Sequence, residues 1–312
     1  MENIEKNGVS ITPMNDFWVD CYTTAIFSAL LSLCEVDKRL IYRNSYEYVF
    51  DRNKKNMGRV YIKTDIDDYV DGFLIKNEKH AFSRDEDVIA RLKEYLDQRK
   101  LVMMGVDMFY GVNATSQWHK YHIHHHVIVE KYDDEQKKVV VLETANEGYK
   151  EYFLSYDEIT QAAKEFEGDS NIYSVNSKFR PRMYSVEQTK DFSKKICNSI
   201  EEIMLHIEDI WHVEDKYLIS MKDEIEVHLR SMANRQKVNY LLLSGLDSSG
   251  ALEGLIQEFK KLEEGYNNLC STIIELCVSK QYFVNESKVK DCFSELLKRE
   301  ESVWKAFDVM AV

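Results

Sequence analysis

Cys21 is the residue of this chain with the clearest capacity for covalent chemistry. It stands at the start of a predicted helix, directly after Asp20, which can cap the helix N-terminus. The partial positive charge at a helix N-terminus stabilises a thiolate, and the thiolate is the form of cysteine that attacks electrophiles. Asn15, six residues earlier, supplies a side-chain amide donor. The segment therefore predicts a nucleophilic cysteine.

A base for this nucleophile is predicted at His125. This histidine lies in a predicted strand that spans residues 123–130, and the chain returns in a second strand after a polar turn. If the two strands form a hairpin, position 125 faces positions 143 to 145. Glu143, or alternatively Asn146, would then hold the imidazole in one tautomer. The pattern predicts a cysteine, a histidine and an orienting group that are distant in sequence but close in the fold.

Three further histidines, His122, His124 and His126, alternate along the same strand and are expected to share the face opposite to His125. Zinc sites usually draw ligands from separate elements, and the sequence has no second set at ligand spacing. We therefore expect no metal and no other cofactor. These histidines are interpreted as a polar rim of the site, with His126 as a candidate substrate contact. Asp107, at the end of a predicted strand, is another candidate substrate contact or, alternatively, a solvated carboxylate.

The composition excludes several classes of protein. The chain has 312 residues and a net charge of −13, whereas binding to nucleic-acid phosphates requires clustered Lys and Arg, so we expect no nucleic-acid partner. Apolar runs are too short to cross a bilayer, and no secretory signal is evident, so we expect no membrane association. The six cysteines contain no C-x-x-C pair. We therefore expect a cytoplasmic protein with reduced thiols.

The apolar patterns divide the chain into two parts. The first part mixes predicted helices at residues 20–34 and 87–98 with predicted strands at 101–106, 123–130, 139–142 and 171–175. After Pro181, apolar residues recur at three- and four-residue steps, as in Phe192, Ile196, Ile200, Ile203, Ile207 and Ile210, and again from Leu252 to Leu276. Such stripes are typical of packed helices. We predict a catalytic domain at residues 1–180 and an all-helical domain at 181–312.

Taken together, the motifs resemble those of a known family. N-x4-D-C opens a helix at Asn15 to Cys21, H-H-V-I-V-x-x-Y-D-D begins at His125, and a short strand ends in the acidic Glu143. This arrangement resembles the C39-type peptidase domains and, more closely, the butirosin-biosynthesis N-terminal domain family. The resemblance covers about the first 180 residues. It implies an α+β, papain-like cysteine-protease fold, in which the helix that carries the cysteine packs on an antiparallel sheet.

The same resemblance implies roles for these residues. Cys21, His125 and Glu143 would form the catalytic triad, and Asn15, in the place of the usual glutamine, would form an oxyanion hole with the Cys21 backbone N–H. The activity would be transfer of an acyl group from a carrier-protein thioester, through acyl-Cys21, to a small-molecule amine in natural-product biosynthesis. Two alternatives stay open: a peptidase or thioesterase with the same triad, and a scaffold in which Cys21 is inert.

Overall fold

The computed structural model describes residues 8–18, 20–42, 45–52, 57–65, 72–113, 115, 117–145, 148–180, 186–212 and 217–310. These residues form two compact units. The first unit comprises the described residues within 1–16, 20–36 and 67–181, and the second comprises those within 17–19, 37–66 and 182–312. The chain therefore passes for the last time from one unit to the other close to the predicted boundary at residue 180. The prediction did not place residues 37–66 with the helices.

Helices and strands alternate in the first part of the chain, and long helices follow. The helices are α1 (Cys21–Leu33), α2 (Lys38–Tyr42), α3 (Val88–Asp97), α4 (Tyr156–Lys164), α5 (Val186–Met204), α6 (Leu218–Leu246), α7 (Glu253–Val278) and α8 (Tyr282–Val309). The strands are β1 (Ser45–Arg52), β2 (Gly58–Asp65), β3 (Leu74–His80), β4 (Leu101–Asp107), β5 (His124–Asp133), β6 (Lys138–Ala145), β7 (Gly148–Ser155) and β8 (Ser170–Val175). Within the described part of the chain, no helix combines the length and the apolar composition that a bilayer crossing requires.

The first unit is built on a six-stranded antiparallel sheet. Its strand order is β3-β8-β4-β5-β6-β7, so β3 and β7 are the edge strands. The four predicted strands are confirmed as β4, β5, β6 and β8, whereas the prediction missed both edges. β3 is mostly exposed, so it lacks the apolar alternation by which a half-buried strand is recognised. The fold class is thus α+β, with a helical region at the C-terminal end of the chain.

Helix α1 is the most completely buried helix segment of the first unit. Every residue from Thr23 to Leu30 is buried, and the helix packs against β5 and β6. A helix that is buried on all sides is fixed in position, because each shift would displace several packed side chains. The predicted cap is confirmed, since the Asp20 carboxylate accepts a hydrogen bond from the Thr23 N–H. The first residue of this helix, Cys21, therefore has a defined position.

Glu130 is a buried carboxyl group in the interior of β5. Its side chain is inaccessible to solvent, and Oε1 accepts a hydrogen bond of 2.5 Å from the Ile11 N–H. Burial is the largest influence and raises the pKa of Glu130 from 4.5 to about 7, helped by the negative charge of Glu151 and opposed by the bond from Ile11. The carboxyl group therefore changes its charge near neutral pH.

This raised pKa predicts that the first unit loses stability as the pH rises through neutrality. A carboxyl group whose pKa is higher in the folded state favours folding while it is protonated. From about pH 5 to about pH 8, the free energy of unfolding should therefore fall by about 3 kcal/mol more in the wild type than in Glu130→Gln. Urea denaturation at a series of pH values measures the difference. Glu135→Gln, at an exposed turn, should keep the wild-type slope, and equal slopes for wild type and Glu130→Gln would contradict the assignment.

The second unit has an aromatic and aliphatic core formed by its long helices. The predicted apolar stripes are buried there, including Phe192, Ile196, Ile200 and most of the residues from Leu252 to Ile273 that carry the second stripe. The ring centroid of Trp304 lies 5.4 Å from that of Phe192 and 5.0 Å from that of Phe259. The predicted packing of helices after residue 181 is therefore confirmed.

A buried carboxylate joins the β1–β2 hairpin to these helices. Glu300 of α8 is inaccessible to solvent and accepts hydrogen bonds from the Tyr46 hydroxyl at 2.7 Å and the Tyr48 hydroxyl at 2.6 Å. Gln236 of α6 and Tyr266 of α7 donate further hydrogen bonds to its second oxygen, Oε2. Burial raises the pKa of Glu300. Because strand β1 and the helices α6 and α7 supply these partners to a carboxylate on α8, the hairpin belongs with the helices rather than with the sheet.

Candidate active site

Cys21 differs from the other cysteines in both position and accessibility. It is the first residue of α1 and is partly exposed, so its sulfur lies at the positive end of the helix dipole. Cys34, Cys197, Cys270 and Cys277 are buried, as expected for structural cysteines. Burial raises the pKa of both the Cys197 and the Cys277 thiols to about 11, which disfavours their reactive form. Cys292 is exposed, but it lies in the interior of α8, away from a helix N-terminus.

His125 and Glu143 meet where two neighbouring strands diverge. The pairing of β5 with β6 ends at Ile128 and Leu142, whereas β6 continues to pair with β7 as far as Ala145. Beyond the last β5–β6 pair, Nε2 of His125 lies 3.2 Å from Oε2 of Glu143. The Glu143 side chain is buried, while 20 % of the His125 side chain is exposed. The buried carboxylate can therefore orient an imidazole that remains accessible.

Cys21 completes this chain of contacts. Its sulfur is hydrogen-bonded to the imidazole of His125. Because Nε2 faces Glu143, Nδ1 is the ring nitrogen that remains for Sγ. Burial disfavours protonation of the imidazole, but the bonds to Cys21 and Glu143 and their negative charges outweigh it and raise the pKa of His125 to about 10. The imidazole is therefore a cation at neutral pH, and a cation beside sulfur favours the thiolate.

Tyr149 adds a group that the sequence patterns did not single out. Its side chain is buried on β7, and its hydroxyl interacts with Ser28 on α1. Burial, with the negative charges of Glu143 and Glu130, raises the pKa of Tyr149, so its hydroxyl stays neutral. A neutral hydroxyl between α1 and the acidic residues links the helix that carries the cysteine to the strands. In the sequence, the aromatic residues of the β7 segment are the signal that could have indicated a strand at Tyr149.

The two predicted amide side chains have different outcomes. Asn15 is exposed, and among the described residues it makes no hydrogen bond with Cys21. The predicted oxyanion contact therefore stays a prediction. Asn146, the alternative partner of His125, lies outside the described residues. The contact found at His125 is the one with Glu143.

The remaining predicted site residues lie at the same end of the sheet. The rings of His124 and His126 both contact Phe166, with centroids 5.2 Å away, and Nε2 of His126 lies 3.2 Å from the Asp169 carbonyl oxygen. Asp107 is buried and paired with a histidine, so its interpretation as a solvated carboxylate is wrong. Within the described ranges, no group of three or more His, Cys, Asp or Glu side chains is arranged to hold a metal ion.

Comparison of the sequence with models of protein families finds no match, and comparison with curated proteins finds none either. An activity therefore has to be inferred from the side chains themselves. The accessible sulfur at a helix N-terminus, the imidazole bonded to it and the buried carboxylate behind the imidazole are the observations from which that inference starts.

Proposed function

We propose that the protein is a papain-like cysteine acyltransferase that forms amide bonds. The observation that carries the proposal is the chain of contacts from Cys21 through His125 to Glu143. A buried helix that begins at the nucleophile, with the base and the acid on neighbouring antiparallel strands, is consistent with a papain-like fold. The acyl donor is a thioester on a carrier protein, and the acceptor is a small-molecule amine.

In the first step, the Cys21 thiolate attacks the carbonyl carbon of the donor thioester. The tetrahedral intermediate collapses as the bond between this carbon and the donor sulfur breaks. His125 gives its proton to the departing thiolate, which leaves as a thiol. The products are acyl-Cys21 and a neutral His125, because the imidazolium has lost its proton. Glu143 keeps the ring in the orientation that both proton transfers require.

In the second step, an amine attacks the acyl carbon of acyl-Cys21. The new carbon–nitrogen bond forms and the carbon–sulfur bond breaks. His125 accepts a proton from the attacking nitrogen, and the sulfur leaves as a thiolate. The thiolate and imidazolium pair of the resting enzyme is thereby restored. The raised pKa of His125 makes it a strong enough base for this transfer once the thiolate forms beside it.

An acyl-enzyme experiment tests the proposal. Incubation with the thioester hexanoyl-N-acetylcysteamine should raise the intact mass by one hexanoyl group, and peptide mapping should locate the group at Cys21. Addition of methylamine should then remove it and yield N-methylhexanamide. Amines are better nucleophiles than water towards thioesters. A site that restricts the access of water would favour the amide product further. Mass spectrometry before and after addition follows both steps.

Each other result of the experiment identifies one of the alternatives. Loss of the acyl group to water at the same rate with and without methylamine would indicate a thioesterase or peptidase. A protein that never becomes acylated, and whose Cys21 is alkylated no faster than an ordinary thiol, would indicate a scaffold. Either result would replace the transferase proposal, because the three possibilities share the same three side chains.

A further inference from the structure

A second pair of histidine and carboxylate lies beside the candidate site. Nδ1 of His122 is 2.6 Å from Oδ2 of Asp107, and Oδ1 of Asp107 accepts a hydrogen bond of 3.0 Å from the Phe109 N–H. The Asp107 side chain is only 2 % exposed, whereas that of His122 is 63 % exposed. A buried carboxylate thus holds one ring nitrogen of an accessible histidine.

The orientation of His122 is fixed on a second side by an aromatic ring. The imidazole stacks on the Phe109 ring, with centroids 4.5 Å apart and planes 6° from parallel. Because a carboxylate only accepts hydrogen bonds, Nδ1 is the ring nitrogen that donates to Asp107, and Nε2 is the nitrogen left for another partner. The Asp107 contact and the Phe109 stacking therefore hold Nε2 on a well-oriented and solvent-accessible ring. This is the arrangement of a general base supported by a carboxylate.

The pair is close to the reacting residues along the sheet. Asp107 is paired in register with His124, and its neighbour Val106 is paired with His125. A hydrogen bond of 2.9 Å from the Met108 N–H to the Ile123 carbonyl continues the ladder past the strand end. His122 precedes His125 by three residues, which corresponds to about 10 Å of extended chain. The pair therefore lies at the same end of the sheet as His125.

The proposed reaction has a proton requirement that His125 alone does not meet. An ordinary alkylamine is an ammonium ion at neutral pH and must lose one proton before its nitrogen can attack. It loses a second proton as the amide forms. In the second step His125 accepts that second proton only, because a neutral imidazole has one free nitrogen and Nε2 faces Glu143. The first proton needs a different acceptor.

We propose that His122 is that acceptor and that Asp107 is its positioning residue, an inference that rests on the proposed acyl transfer to an amine. The acceptor ammonium gives one proton to Nε2 of His122, which passes it to water. The nitrogen lone pair then attacks the acyl carbon, the carbon–sulfur bond breaks, and the second proton moves to His125. The acceptors that this pair selects are alkylamines that are protonated at neutral pH.

Two amines separate this role from a structural one. The acyl-enzyme is first prepared from hexanoyl-N-acetylcysteamine and its discharge is then followed by intact mass at neutral pH. Methylamine is an ammonium ion under these conditions, whereas methoxyamine is an uncharged nucleophile. In His122→Phe, where the new ring can keep the stacking on Phe109, discharge by methylamine should slow by about 10²-fold. Discharge by methoxyamine should stay within about twofold of wild type, because no first proton has to be removed.

His119→Phe is the matched control. His119 lies in the same connection between β4 and β5, is exposed, and also stacks on Phe109, with centroids 5.2 Å apart, but no carboxylate is paired with it in the described residues. It should behave as wild type with both amines. Asp107→Asn, whose amide oxygen can still accept from the Phe109 N–H, should reproduce the selective loss of His122→Phe. In both variants, raising the pH should restore discharge by methylamine, since solution then supplies the free amine.

The outcomes separate the failure of this inference from the failure of the proposed function. If no acyl-enzyme forms in the wild type, acyl transfer is wrong, and the role of His122 is withdrawn with it. If the acyl-enzyme forms and His122→Phe slows both amines equally, or neither, the inference is overturned while acyl transfer stands. Equal losses in His119→Phe and His122→Phe would also overturn it, because the effect would then belong to the loop.

Discussion

Replacing Cys21 by alanine should abolish both the acyl adduct and amide formation while the protein stays folded. The nucleophile has no substitute, because the other thiols are buried or lie away from a helix N-terminus. Loss of the nucleophile from a triad typically lowers the rate by about 10⁴-fold or more. Alanine is a good helix former, and Cys21 is partly exposed, so the free energy of unfolding should change little. Amide formation and urea denaturation measure the two effects.

Cys292→Ala is the matched control for this variant. Cys292 is exposed, so it is as open to chemical modification as Cys21. The variant should acylate and transfer at the wild-type rate, and its intact mass should show one acyl group. If Cys292→Ala lost the adduct while Cys21→Ala retained it, the nucleophile would be wrongly assigned. If Cys21→Ala unfolded, Cys21→Ser would repeat the test with a side chain of similar size.

Replacing His125 by alanine should remove the reactive thiolate at neutral pH. In the wild type, the imidazolium beside Sγ persists until the pH passes about 10, and its positive charge favours attack by the neighbouring sulfur on iodoacetamide. Without the cation, the sulfur should behave as an ordinary thiol, which is only a few per cent thiolate near pH 7. Alkylation near pH 7 should therefore slow by about 30-fold and recover as the pH rises.

Cys292 provides an internal reference in the same reaction. Peptide mapping separates its alkylation from that of Cys21, and its rate should be equal in wild type and His125→Ala. Glu143→Gln is the graded variant, because the amide keeps the shape of the side chain but loses the negative charge that helps to raise the pKa of His125. At neutral pH, the rate of Cys21 alkylation in Glu143→Gln should lie between the rates in the wild type and in His125→Ala. An unchanged pH profile in His125→Ala would show that His125 does not hold the thiolate.

Much of the first unit could be predicted from local patterns. The helix at Cys21, its Asp20 cap and the strands that became β4, β5, β6 and β8 follow from apolar periodicity and capping chemistry, which depend on residues only a few positions apart. The hairpin geometry also indicated that His125 would face positions 143 to 145, and its ring does lie 3.2 Å from Glu143. The turn between the two strands sets this approximate register, although the pairing itself ends at Ile128 and Leu142.

Other features could not be predicted because their cause is distant in sequence. The edge strands β3 and β7 were missed, since an edge strand can stay exposed and so lose its apolar signature. The β1–β2 hairpin was not assigned to the second unit, because its attachment depends on Glu300, more than 250 residues from Tyr46 and Tyr48. The burial of Asp107 was also missed, since its partner His122 lies beyond an intervening loop.

The sequence by itself determined which side chains could serve as nucleophile, base and acid and which elements carry them, because residue type, helical period and turn composition are local properties. Tertiary structure decided which side chains meet: that Cys21 reaches His125, that Tyr149 lies between α1 and the acidic residues, and that Asp107 supports an accessible His122. The contacts of Cys21 with His125 and of α1 with Tyr149 join residues more than a hundred positions apart. They arise from strand register and close packing, which a sequence pattern specifies only through the whole fold.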